Sequence, residues 1–185
     1  MEAVHGSIES LLLDRKAVIL SKWRKGIVSS YPAETGVFLQ SVKDPFANPV
    51  GAAIVQGTEC LFDSLVAGEA PGKTAQHLEE IIRIRAIQDF SPAAALTFVF
   101  LLKEAIREVL GTALKQAEVA TDLLRFEARF DGVALQALNL YVQCRESVLR
   151  LRIEEVKRQT EVILKRAGLG GLPEGEDAII CKPTT

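Results

Sequence analysis

The stretch "DFSPAAALTFVFLLKEAIREVLG", residues 89–111, decides how the chain is read. Ser91 is placed to cap a helix, because its hydroxyl can accept a first-turn backbone N–H. Pro92 follows at the first turn, where a missing N–H costs nothing. Leu96, Val99, Phe100 and Lys103 continue at helical spacing, with Ile106 and Leu110 beyond, and Gly111 is placed to stop the helix. The first half is apolar on most sides. That pattern belongs to a central buried helix rather than a surface one.

The same punctuation recurs in "VKDPFANPVGAAIVQGTECLF", residues 42–62. Asp44-Pro45 is a turn signal, Asn48 an N-cap and Pro49 a first helical residue. Val50, Ile54, Leu61 and Leu65 then share one face. Gly57 falls on that face and would admit another helix closely. A phosphate cradle needs several glycines in succession, and this stretch does not offer them. The "GEAPG" of residues 68–72 closes the helix. A further helix is expected from residue 7 to about 30, through Ile8, Leu12, Ile19, Trp23 and Ile27, ending before Pro32. Residues 33–41 suit a short helical turn. Residues 74–89 suit a helix capped by Thr74, and residues 112–120 are ambiguous.

From about Ala120 to Arg166 there is no proline, and Asp131-Gly132 is the one weak point. A helix of that length spans about 70 Å. Counting by sevens gives Leu135, Val142, Leu149, Val156 and Ile163, all apolar. The companions three residues on are Leu138, Arg145, Arg152 and Gln159, so the pattern is half a coiled-coil seam. Two readings follow. The helix packs its first half on the domain and is solvated beyond, or it pairs with a copy of itself as a dimer and output helix. The chain is accordingly read as all-α, with one helical domain over residues 1–166 and a flexible tail, rich in Gly, Pro and acid, over residues 167–185.

Composition narrows the function. Of 185 residues, 48% are apolar and 25% charged, and the net charge is −2. No global field attracts nucleic acid or an anionic membrane. No apolar run reaches the ~20 residues of a membrane span. Cys60, Cys144 and Cys181 are scattered and odd in number, which points to a reducing compartment, the cytoplasm by default. The N-terminus lacks a signal-peptide profile. There are two histidines, His5 and His77, and neither has a second ligand at metal spacing. No GxSxG elbow, Walker loop or GxGxxG is present, and paired acids such as Glu79-Glu80 read as solvated faces. No catalytic residue, cofactor or metal site is assigned.

"IIRIRAIQDF", residues 81–90, is the most informative polar cluster. Arg85 borders the buried stripe of its helix and needs a partner there. It belongs either to a local cap network with Asp89 and the start of the next helix, or to a pocket or dimer contact. The candidate pocket or structural cluster comprises Trp23, Tyr31, Phe46, Asn48, Arg85, Gln88 and Asp89.

The combination "WRKGIVSSYP", "DPFANPVG" and "RIRAIQDFSPAAALTFVFLLKEAIREVLG" resembles the N-terminal sensory domain of RsbR/RsbRD-type stressosome co-antagonists, over roughly residues 8–165. The resemblance implies a globin-like helical domain that binds no haem, dimerises, and carries a signal through its long last helix in a stress response. Such domains are often followed by a STAS domain. The sequence in hand instead reaches Thr185 through the tail, so a stand-alone form is expected, and neither phosphorylation nor assembly into a stressosome is carried over. The first functional reading is therefore a non-enzymatic sensor that dimerises and presents its last helix to an unidentified protein partner. The second is an adaptor without ligand sensing, docking for example on a membrane-associated redox complex.

Overall fold

A computed structural model of the chain describes residues 7–42 and 44–168. All regular structure among them is helical. The chain divides into two compact units, Met1–Glu146 and Ser147–Thr185, taken separately below. His5, Cys181 and the expected tail beyond residue 168 lie outside the described residues.

The first unit opens with two helices where one was expected. Helix α1 covers Ile8–Asp14 and α2 covers Lys16–Val28. The break falls at Arg15, whose guanidinium donates to the Val109 carbonyl at 2.8 Å. A tertiary contact ends this helix, with no Gly or Pro to announce it. Pro32 then leads into α3, Ala33–Ser41.

Helix α4, Pro49–Val66, starts as the sequence indicates. The Asn48 side chain accepts from Gly51 N at 2.8 Å. Its amide also donates to the carbonyls of Leu39 and Val42, at 3.1 and 2.8 Å. One buried side chain thus caps α4 and ties down the end of α3. Ile54, Leu61 and Leu65 of α4 face the core.

The helix expected over residues 74–89 is two. Helix α5 is Pro71–Gln76 and α6 is Glu79–Ile87. Thr74 is no cap: it is buried inside α5, and its hydroxyl donates to the Ala70 carbonyl at 3.1 Å. The chain turns at His77–Leu78 because α4 presses there. A Cβ on Gly57 would lie 2.8 Å from the His77 carbonyl oxygen and 3.0 Å from the Ile81 side chain. The close approach read from Gly57 is therefore real, and it is made with this turn.

Helix α7, Pro92–Leu110, is the central element. Ser91 caps it, accepting from Ala94 N at 3.3 Å, and the chain leaves it at Gly111 with φ of 40°. It packs extensively along α2. Phe98, Val99, Leu102 and Ile106 are fully buried. Phe100 instead points outward, and the Lys103 ammonium sits 5.8 Å from its ring. A 3-10 turn, Gly111–Lys115, occupies the ambiguous segment.

Helix α8 runs without interruption from Ala117 to Arg166. Asp131-Gly132 neither breaks nor caps it. Gly132 is there for proximity, since a Cβ would meet the Pro71 ring at 2.9 Å. In the first unit α8 buries Val119, Leu123, Phe126, Phe130, Val133, Ala137 and Tyr141, spaced by threes and fours. Arg107 holds the buried Glu127 through two hydrogen bonds of 2.7 and 2.6 Å, joining α7 to α8. In the second unit, residues Ser147–Arg166 expose Leu149, Leu151, Ile153, Val156, Val162 and Ile163.

Candidate functional site

The polar group of greatest interest is Arg85, on the last turn of α6 and completely buried. An arginine stays protonated, so a full charge sits in the core. Among the described residues no carboxylate pairs with it. One terminal nitrogen donates to the Ala94 carbonyl at 3.0 Å and the other to Ser30 Oγ at 2.9 Å. The guanidinium carbon stands 5.2 Å from the Tyr31 ring centre, 5.0 Å from Phe90 and 4.9 Å from Phe98. Tyr31 and Phe90 meet edge to face at 5.5 Å. Three aromatic faces thus surround the cation, each contributing about 2 kcal/mol when desolvated. Such faces offset part of a burial cost of several kcal/mol. Burial pushes the Arg85 pKa below its ordinary value, and the Tyr31 phenol acts in the opposite direction. Arg85 Nε and the Tyr31 hydroxyl are buried with no hydrogen-bond partner.

The cage is closed by the corner between α6 and α7. Gln88 ends α6, Asp89 takes the left-handed conformation at φ 59°, and Phe90 turns inward as one wall. Asp tolerates that conformation better than most residues, and the corner needs it to reverse the chain. Helix α8 holds this corner from outside. The Tyr141 hydroxyl donates to the Phe90 carbonyl at 2.5 Å. Arg145 donates to the Ala86 carbonyl at 2.9 Å and also pairs with the Asp89 carboxylate. Two α8 side chains, one turn apart, therefore grip the segment that lids the buried cation.

The structure brings together some of the residues that sequence singled out. Tyr31, Arg85 and Asp89 belong to the cage and its corner. Trp23 adjoins it, because its indole N–H donates to the Phe98 carbonyl at 2.6 Å. Gln88 is an exposed cap residue on the corner. Asn48 is buried, but it serves the α3–α4 connection. Phe46 is 96% exposed and takes no part. Sequence reasoning did not single out Ser30, Phe90, Phe98 and Tyr141. It met Arg145 only as a flaw in a heptad. The five heptad residues Leu135, Val142, Leu149, Val156 and Ile163 are all exposed.

Other features of the surface are separate. An open groove of about 630 Å³ runs beside α2, α3 and α4, with Val28, Leu39, Ile54 and Val55 in its walls. His77 is the half-buried C-cap of α5. Cys60 and Cys144 are free thiols. Among the described residues there is no group of three or more His, Cys, Asp or Glu side chains able to hold a metal. No helix among them is long and apolar enough to cross a membrane.

The all-α unit, with its buried cation cage and long amphipathic last helix, can be set beside known families. The family model described as the RsbT co-antagonist protein rsbRD N-terminal domain matches residues 17–156, and the chain belongs to that family. No curated protein and no solved structure matches it.

Proposed function

We propose that the chain is a non-enzymatic signalling module of a stress response, one that dimerises and uses its last helix as the output. The supporting observation is the grip of Tyr141 and Arg145 on the Asp89–Phe90 corner. Any event that moves the caged Arg85 or its aromatic walls moves Phe90, and Phe90 is bonded to α8. A buried cation held by aromatic faces and two neutral acceptors is the kind of site that a ligand or a repacking would alter. The family description places such domains in co-antagonist proteins, which fits a regulatory role rather than catalysis. Free, scattered cysteines support a cytoplasmic location.

The dimer contact in this reading is the outward face of α8 in the first unit. Leu135 is 65% exposed, Leu138 37% and Val142 43%. They lie at spacings of three and four, to one side of the buried stripe of the same helix. Light scattering on the full chain is expected to give the mass of two copies. The paired substitution Leu138→Glu and Val142→Glu is expected to give one copy with unchanged helicity. A wild-type monomer, or a double variant that stays dimeric, would sink the dimer reading.

A further inference from the structure

The heptad in the second unit reads differently when companions are counted four residues onward. From Leu149, Val156 and Ile163, that count reaches Ile153, Thr160 and Ala167. Ile153 is 56% exposed, and Thr160 and Ala167 are exposed too. The run Leu149–Ile153–Val156–Thr160–Ile163 alternates steps of four and three, as a complete coiled-coil seam requires. In the first unit the companion lies three residues on, at Leu138. The phase therefore changes between Val142 and Leu149, and the distal seam is a second surface in its own right.

What flanks this seam chooses its occupant. The positions bordering it on its two sides are Arg150, Lys157 and Leu164, and Arg152, Gln159 and Arg166. They include four cations and no acid. Glu154, Glu155 and Glu161 fall farther round the helix, where Glu155 is engaged by Arg158 and Gln159. In a parallel pair one flank meets the other flank of the partner, and in an antiparallel pair like meets like. Two copies of this helix would set cation against cation in both arrangements. A helix with acids at its flanks would meet complementary charge in either. An anionic membrane surface suits the segment less well. Its seam is narrow, it lacks aromatic anchors, and three glutamates share the polar face.

We infer that residues 149–163 dock an acidic amphipathic helix supplied by a different protein. This rests on the reading of the last helix as output and names the chemistry of what it meets. The test uses the full chain and a labelled synthetic helical peptide with a Leu/Ile seam and glutamates at the flanks, beside a twin with lysines there. Fluorescence anisotropy is expected to show at least about tenfold tighter binding of the glutamate peptide, weakened by salt. Arg150→Glu with Lys157→Glu, which leaves two cations facing two acids at the flanks, is expected to remove the preference, and Ile153→Glu to abolish binding while the solution mass stays that of the wild type. Equal binding of the two peptides by the wild-type chain would overturn the inference. So would binding to phosphatidylserine vesicles in place of the peptide, or an Ile153→Glu chain that turns from dimer to monomer. A dimer that depends on Leu138 and Val142, with no peptide preference, would defeat this inference alone. Peptide discrimination by a monomeric chain would defeat the dimer reading alone.

Discussion

Asn48 illustrates how much one side chain can carry. As a cap it is interchangeable on paper with Asp, which accepts the same first-turn N–H. Here its amide also donates to two backbone carbonyls, and the site is 2% exposed. A carboxylate would face those carbonyls with no proton to offer. Asn48→Asp is therefore expected to lose about 2 kcal/mol or more in urea unfolding at neutral pH, despite being a good cap elsewhere. An Asp variant as stable as the wild type would show that the two donated bonds contribute little. The capping role was legible in the sequence because caps are local: Asn before Pro, and Ser before Pro, announce themselves within a turn. The donated bonds were not, since they depend on where α3 ends. Phe46 shows the opposite error. An aromatic between two prolines looks like pocket material, yet nothing local compels burial, and the fold leaves it in solvent.

At the level of elements, the breaks at Arg15 and at His77–Leu78 were invisible to helical periodicity. Both segments are apolar at helical spacing across the break. What interrupts them is distant: the Val109 carbonyl reached by Arg15, and the α4 backbone at Gly57. The second case can be tested. Alanine is worth about 1 kcal/mol more than glycine inside a helix. At Gly57 its Cβ would collide with a backbone oxygen that cannot swing away, and overpacking of that kind costs about 1–3 kcal/mol. Gly57→Ala is expected to destabilise the fold by about 1 kcal/mol net, read from thermal or urea unfolding. A more stable variant would mean that the α4–α6 contact has slack. Helix α8 gives a related lesson. A heptad count treats Arg145 as a defect, because it sees one helix. The structure gives Arg145 a task 56 residues away, at Asp89. The surplus of cations along the distal seam was plain in the sequence, but it gained meaning only once the companions were counted at the other spacing.

For the whole molecule, the all-α class and the long last helix followed from caps, prolines and the uninterrupted stretch after residue 120. The cage did not follow, because its walls come from four places: Ser30 and Tyr31 after α2, Arg85 on α6, Phe90 at the corner and Phe98 on α7. Arg85 was signalled by its position beside an apolar stripe, and Tyr31 and Asp89 were grouped with it, but Ser30, Phe90 and Phe98 were not. The central claim is that this cage and α8 are mechanically joined through the α6–α7 corner. Amide hydrogen exchange on the full chain, wild type against Arg85→Met, tests it most directly. Methionine keeps much of the side-chain bulk while removing the charge, a replacement that buried ionic groups often tolerate. The expected result is faster exchange at the corner, residues 86–91, together with faster exchange in α8 around Tyr141 and Arg145. Faster exchange confined to α6 and α7, with α8 unchanged, would contradict the claim.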